Sequence, residues 1–169
     1  QLSVQWQQTH ELLRLELPLH SPAVRWAADT SGGVIERPAQ ACTPFEQERW
    51  ELPVISWLAA EAEAPGGGMA VLLEGPQGVD ATANHLGVSL LRGPTWPDPS
   101  ADHGWHRHRL AFMPAQLGWN RSGVAQAAIR FREPGWTAPV VLEQRWQGLP
   151  ALPVGLVPIS VRPAKDAGF

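Results

Sequence analysis

Proline and glycine recur at short intervals along most of the chain, and this spacing leaves little room for helices. The 169 residues include 17 Pro and 16 Gly. Proline removes a backbone donor and clashes with the preceding helical turn, whereas glycine raises the entropic cost of ordering a helix. Extended segments joined by turns tolerate both residues better. The sequence therefore predicts a chain of many short strands.

Apolar side chains in these segments often alternate with polar ones. Leu13, Leu15 and Leu17 are separated by Arg14 and Glu16, a period of two that places the leucines on one face of a strand. Further extended segments are predicted at Ala23–Ala28, Arg49–Val54, Met69–Leu73, Leu86–Leu90 and Leu110–Met113. Pro53 places the second of these near a sheet edge. Together these patterns predict an all-β fold, an antiparallel β-sandwich.

One helical segment is predicted, from Gly123 to Phe131, with Ala127, Ala128 and Ile129 on its inward face. From Pro134 onward, alternating Pro and Val favour extended chain that crosses between sheets. The length suits one domain, so residues 1–169 are predicted to form a single domain.

Composition excludes several classes of function. The formal net charge is −3 and the pI is about 6.1, which gives no cationic surface for nucleic acid. No apolar run approaches the roughly 20 residues that a membrane-spanning helix needs. Cys42 is the single cysteine, so the chain has neither an intrachain disulfide nor a zinc site built from several cysteines. We therefore expect no nucleic-acid partner and no membrane partner, and a cytoplasmic location.

The segment Arg92–His108 interrupts two apolar stretches and is dense in polar side chains. Pro94, Pro97 and Pro99 restrict its backbone, so its side chains can be held in defined positions. Its charged and titratable residues are Arg92, Asp98, Asp102, His103, His106, Arg107 and His108. The segment is predicted to be a binding loop.

Several kinds of chemistry are compatible with this loop. Asp102, His106 and His108 carry metal-ligand atoms, but their spacing matches no specific metal motif. Asp98 and Asp102 could act as an acid–base pair, or either could simply form an ion pair with Arg92 that braces the loop. The indoles of Trp96 and Trp105 could stack on a sugar ring or fill the core. The segment alone leaves these alternatives open.

The stretch VSLLRGPTWPDPSADHGWHRHRLAFMP, from Val88 to Pro114, resembles a signature in the C-terminal region of family 38 glycoside hydrolases, the retaining α-mannosidases. The segments VQWQQTHELLRLELPL and VIERPA, which precede it, and PISVRPAKDAGF, which follows it, resemble other segments of that family in the same order. Two departures stand out. Glu74–Gly78 replaces an Asn-Asp-x-Lys-Tyr-Gly turn, and Ala115 replaces a histidine.

The resemblance implies the C-terminal sandwich of such an enzyme, of the galactose-mutarotase-like supersandwich kind, and a chain that holds only part of it. It places the nucleophilic aspartate and the zinc ion in an N-terminal (β/α) barrel outside this chain, so no catalytic residue, metal ligand or cofactor is assigned here. It also implies that the loop forms the rim of a mannose pocket. The substrate-binding residues expected there are Asp102, Arg92, His106, Asp98 and Trp105.

We therefore expect a non-catalytic domain of an enzyme that hydrolyses terminal α-D-mannosides with retention. Its partners are expected to be an α-mannoside oligosaccharide and the enzyme's own barrel, and the fragment alone is expected to be inactive. Two other functions remain compatible with the sequence. One is an independent carbohydrate-binding module that uses some of the nine Trp residues, and the other is a domain whose loop contacts a protein partner.

Overall fold

In the computed structural model, the described residues are 1–64 and 66–133, together with Pro153. The chain divides into two compact units, Gln1–Pro134 and Gly135–Phe169, and all of the second except Pro153 lies outside the described residues. The extended chain predicted after Pro134 therefore lies outside them too. The single domain predicted for residues 1–169 stays a prediction.

The first unit is made mainly of short strands with three helices among the described residues. In chain order these are β1 Leu2–Trp6, β2 Leu13–Pro18, β3 Ala23–Thr30, β4 Gly33–Pro38, α1 Pro44–Gln47, β5 Leu52–Val54, β6 Trp57–Ala62, β7 Met69–Leu73, β8 Gln77–Ala81, β9 His85–Leu91, β10 Gly104–His108, β11 Leu110–Pro114, α2 Gly118–Arg121 and α3 Val124–Arg132. None of the described helices is long and apolar enough to cross a bilayer.

The strands form three antiparallel sheets. A five-stranded sheet has the order β11-β7-β6-β3-β4, a four-stranded sheet has the order β2-β9-β8-β5, and β1 pairs with β10 in a two-stranded ribbon. The predicted all-β antiparallel sandwich is confirmed. Strand β5 lies at a sheet edge, as Pro53 predicted, although it begins only at Leu52.

The main core lies between the five-stranded and four-stranded sheets. Leu58 and Val71 come from the larger sheet, and Leu86 and Val88 from the smaller one, and all four are fully buried. The alternating leucines of β2 pack against the same cluster, as the period of two predicted. Burial of this apolar surface is the main term that stabilises the sandwich.

A second core covers the other face of the five-stranded sheet. Trp57 and Ala70 point to this face, where Val124 and Ala128 of α3 pack against the sheet. Because both faces are covered, residues 57–60 of β6 and all of β7 are continuous apolar runs rather than alternating ones. The predicted helix is confirmed, but Ile129 is exposed, because Val124 and Ala128, four residues apart, define the face that meets the sheet.

Candidate functional site

The polar segment after β9 is shorter than predicted. The loop occupies residues 92–103, which we call the proline loop, whereas residues 104–108 form β10. The prediction of one loop from Arg92 to His108 was therefore wrong at its C-terminal end. Strand β10 forms because β1 pairs with it along its whole length, from Leu2 opposite His108 to Trp6 opposite Gly104.

Asp98 organises the tip of the proline loop. Its carboxylate accepts hydrogen bonds from the backbone N–H of Ser100 at 2.9 Å and from the Ser100 hydroxyl at 2.8 Å. These two bonds lower the pKa of Asp98 because they favour its charged form. The Ala101 N–H also donates to the Asp98 carbonyl at 3.2 Å. Asp98 therefore forms a local turn in which one carboxylate oxygen is already occupied.

Asp102 joins the two ends of the loop. Its Oδ2 accepts hydrogen bonds from the backbone N–H groups of Arg92, at 2.9 Å, and Gly93, at 3.1 Å. The bond from Arg92 is the largest cause of a lowered pKa for Asp102. Asp102 itself has a φ of 64°, a left-handed conformation that few non-glycine residues adopt. The carboxylate thus braces the loop through backbone donors.

The bracing ion pair that the sequence left open is not formed. Within residues 1–64 and 66–133, the guanidinium of Arg92 has no carboxylate partner. The Arg92 side chain is exposed at the start of the loop. Its charge is therefore available to a molecule that lies against this surface.

The chain before β2 packs against the beginning of the loop. The His10 N–H donates to the Gly93 carbonyl at 2.8 Å, and the His10 ring nitrogen Nε2 lies 3.3 Å from the Thr95 hydroxyl. A Cβ at Gly93 would lie 2.3 Å from the Gln8 carbonyl oxygen, and Gly93 has a φ of 56°, so this close approach requires glycine. Residues 8–10, which are distant in sequence, therefore help to hold the loop in place.

These contacts leave a surface depression of about 370 Å³ beside the loop. Its lining residues include His10, Leu12, Arg92, Thr95 and Trp96. Trp96 is 84% exposed, so its indole offers a free apolar face next to a guanidinium and an imidazole. Aromatic faces combined with a few polar groups suit the binding of a sugar ring.

The histidines of β10 lie beside the loop rather than at its tip. His106 Nε2 donates to the Asp102 carbonyl oxygen at 2.7 Å, because a carbonyl can only accept. The rings of His106 and His108 are nearly parallel, with centroids 6.3 Å apart, as expected for residues two apart on a strand. Burial and, secondarily, the charge of His106 lower the pKa of His108.

The alternative of a metal site gains no support from this geometry. Nowhere in the described part of the chain do three or more His, Cys, Asp or Glu side chains come together in a way that could hold a metal ion. His106 uses one ring nitrogen on a backbone carbonyl, and Asp102 uses a carboxylate oxygen on backbone N–H groups. The described structure therefore does not gather Asp102, His106 and His108 as ligands of one metal ion.

Of the five predicted substrate-binding residues, Arg92, Asp98 and Asp102 lie in the proline loop, and Trp105 and His106 lie on β10, the strand that follows it. The Asp102 carboxylate accepts a hydrogen bond from the backbone N–H of Arg92, and the Asp102 carbonyl accepts one from the His106 ring. Asp98 lies at the tip of the same loop. Trp105 lies on β10 and is 74% exposed. Of the five predicted residues, only Arg92 lines the depression beside Trp96.

Sequence reasoning missed a charged network on the outer face of the four-stranded sheet. Arg14 pairs with Glu51 at 3.0 Å and also with Asp80. His85 Nε2 lies 3.1 Å from Asp80, and the Ser89 hydroxyl donates to Glu51. The alternation that turned the β2 leucines toward the core placed Arg14 outward, but its two nearest partners come from elsewhere in the chain: Asp80 lies on β8, and Glu51 directly precedes β5. Two carboxylates share the one guanidinium, and these contacts link neighbouring parts of the four-stranded sheet.

The fold and the loop define a β-sandwich module with a surface depression that an exposed indole and a guanidinium line. The family model described as glycosyl hydrolases family 38 C-terminal domain matches residues 1–100. The chain belongs to this family, and the resemblance seen in the sequence is confirmed. The match includes the proline loop as far as Ser100.

Curated relatives of the chain are named as α-mannosidases. Alpha-mannosidase 2C1 of Homo sapiens is 30% identical over 131 residues, which is 78% of this chain and 12% of the relative. Alpha-mannosidase G of Dictyostelium discoideum is 30% identical over 66% of this chain and 10% of its own length. Alpha-mannosidase of Saccharomyces cerevisiae is 27% identical over 64% of this chain and 10% of its own length. The chain thus spans about an eighth of these relatives or less.

Proposed function

We propose that this chain is a non-catalytic domain of a retaining α-mannosidase that hydrolyses terminal α-D-mannosides. Family membership supports the reaction class. The nucleophile and the zinc ion are proposed to lie in the enzyme's (β/α) barrel, which is also the domain's partner within the protein. The chain by itself is proposed to be inactive, and the enzyme to be cytoplasmic.

The proline loop is proposed to form part of the rim of the mannose-binding site. The observation that carries this proposal is that the loop is fixed at both ends by Asp102 and leaves Arg92 and Trp96 free beside one depression. A rim of this kind must be rigid, because each side chain that is ordered only on binding reduces affinity. Arg92 can donate to sugar hydroxyls, and an indole can cover an apolar face of the ring.

Asp98 and Asp102 are proposed to accept hydrogen bonds from the sugar rather than to transfer protons. The hydrogen bonds from Ser100 and Arg92 lower the pKa values of these carboxyl groups, so both are ionised at neutral pH. A general acid in glycoside hydrolysis needs a raised pKa, which keeps its proton available. Each carboxylate retains lone pairs that are not used within the loop.

Removing the charge of Arg92 tests the rim proposal in the intact enzyme. Arg92→Gln is expected to lower kcat/KM on an aryl α-mannoside by about tenfold, the effect of losing one charge-assisted hydrogen bond of roughly 1.4 kcal/mol. The melting temperature should stay unchanged, because the loop is held through the backbone of residue 92. Arg130→Gln, on the exposed face of α3, is the matched control. An unchanged kcat/KM for Arg92→Gln would contradict the proposal.

An independent carbohydrate-binding module is the second candidate, and the exposure of Trp96 and Trp105 favours it. Binding of an α-mannoside by the chain alone distinguishes the two functions. A binding module should hold the sugar with saturable affinity by itself, and substitution of either indole should weaken that binding. A rim should bind it only weakly without the barrel, because it supplies a small part of the contacts.

A further inference from the structure

A second cavity lies where β4, α1 and β8 meet, and we call it the arginine pocket. Its volume is about 310 Å³, and its lining includes Trp26, Arg37, Glu46, Arg49, Trp50 and Thr82. It shares no lining residue with the depression beside the proline loop. The residues come from four separate segments of the chain, so the fold alone brings them together.

Two guanidinium groups line this pocket, each placed over an aromatic ring. The Arg37 guanidinium carbon lies 5.5 Å from the Trp26 ring centroid, and that of Arg49 lies 4.0 Å from the Phe45 ring centroid. An aromatic ring interacts with the flat face of a guanidinium. The N–H donors lie in the plane of the group and remain free to meet an acceptor.

Neither arginine has an anionic partner of its own among the residues that the structure describes. Burial and then the charge of Arg49 lower the pKa of Arg37, whereas Glu46 acts in the opposite direction. Both guanidinium groups line the same pocket, where the charge of one disfavours the charge of the other. An anion bound between them would offset that effect.

The carboxylates near the pocket are already engaged elsewhere. Glu46 accepts hydrogen bonds from the N–H groups of Cys42, at 2.9 Å, and Thr43, at 3.0 Å, in the capping box of α1. Asp80 pairs with Arg14 and lies 3.1 Å from His85. Both carboxylates line the pocket, but among the described residues neither forms an ion pair with Arg37 or Arg49.

An exposed aromatic surface borders the two arginines. Trp50 is 84% exposed and lines the pocket, and Phe45 beside it is 66% exposed. An exposed indole offers a flat apolar face to a ring-shaped group. The pocket thus combines a place for an anion with a place for the body that carries it.

We infer that the arginine pocket binds a phosphate group, held by Arg37 and Arg49, with Trp50 against the sugar that carries it. A phosphate monoester has three free oxygens and a charge of about −1.5 to −2 at neutral pH. It can therefore accept hydrogen bonds from two guanidinium groups at once and neutralise both, whereas a carboxylate carries a single charge. Free phosphate offers the same chemistry without the sugar contact.

Titration calorimetry on the chain with mannose 6-phosphate, inorganic phosphate and mannose as probes tests this inference. We expect saturable binding of the two phosphates and none of mannose, and a melting temperature that rises with either phosphate. Added salt should weaken the binding. Arg49→Gln and Arg37→Gln should each weaken it at least tenfold, and Arg130→Gln should leave it unchanged.

Trp50→Ala identifies the source of the phosphate. If it weakens binding of mannose 6-phosphate and not that of inorganic phosphate, the ligand is a sugar phosphate, and if it affects neither, free phosphate is the ligand. The inference is overturned if neither phosphate binds, if mannose binds as tightly as its phosphate, or if both arginine variants bind phosphate like the parent chain. Failure of phosphate binding does not bear on the rim proposal, which rests on different residues, whereas tight binding of mannose by the chain alone would favour an independent binding module over a rim.

Discussion

Replacing Trp57 with alanine is expected to lower the free energy of unfolding by about 3 to 5 kcal/mol, the range found when large aromatic residues are removed from cores. Trp57 is 2% exposed and stacks on Trp119, with ring centroids 5.2 Å apart. Its removal leaves a cavity in the second core, between the five-stranded sheet and the helices. Urea unfolding followed by far-UV circular dichroism measures the effect without relying on tryptophan emission.

The matched control for this substitution is Trp50→Ala. Trp50 is 84% exposed, so its loss should change stability by no more than about 0.5 kcal/mol. Trp57→Phe retains part of the packing and should fall between the two variants, which keeps the test informative if Trp57→Ala does not fold. Equal stabilities for Trp57→Ala and Trp50→Ala would show that the helices do not stabilise the sheet through this residue.

Replacing Asp102 with alanine is expected to release the proline loop. Two backbone N–H groups, those of Arg92 and Gly93, lose their acceptor, and Gly93 is buried. A buried donor left without a partner costs about 1 to 3 kcal/mol. In the intact enzyme, we expect kcat/KM on an aryl α-mannoside to fall on the order of 10- to 100-fold, because the rim is no longer held in place.

The stability lost in Asp102→Ala should depend on pH in a defined direction. The folded protein lowers the pKa of Asp102 below its ordinary value of 3.8. The ionised carboxylate therefore stabilises the fold above that value, and its contribution disappears as the pH falls through the lowered pKa. The difference in melting temperature between the parent and Asp102→Ala should be largest at neutral pH and should shrink as the pH falls into the acid range.

Asp98→Ala serves as the control within the same loop. Among the described residues, its carboxylate accepts hydrogen bonds only from Ser100, so its loss should affect stability less than the loss of Asp102. A lowered melting temperature for Asp102→Ala together with an unchanged kcat/KM would reduce the loop to a structural brace. A variant unchanged in both measurements would show that the bonds to Arg92 and Gly93 do not anchor the loop.

Strands whose one face is buried could be predicted from the sequence because alternation is a local signal. The leucines of β2 and the apolar residues of β9 show it directly. The packing of α3 against the outer face of the five-stranded sheet could not be predicted from such a local signal. The run MAVLL predicts a buried strand, but the element that covers its outer face, α3, lies about fifty residues further along. Only the folded chain reveals that contact.

The residue types of the candidate site could be predicted from the sequence, but the contacts between them and the end of the loop could not. Proline spacing and polar side chains identified the loop, but its end was missed because β10 forms by pairing with β1, about a hundred residues earlier. The left-handed backbone of Asp102 and its bonds to backbone N–H groups leave no local sequence pattern. The arginine pocket was missed for the same reason, since Trp26, Arg49 and Thr82 meet only in the fold.

Hydroxyl-radical footprinting of the intact enzyme tests the central claim, that the proline loop meets the substrate, most directly. It compares modification of Trp96 with that of Phe112 on β11, which is 53% exposed, with and without a non-hydrolysable α-mannoside. The account predicts that Trp96 is modified in the free enzyme and protected severalfold by the ligand, whereas Phe112 is unchanged. Equal modification of Trp96 in the two states would contradict it.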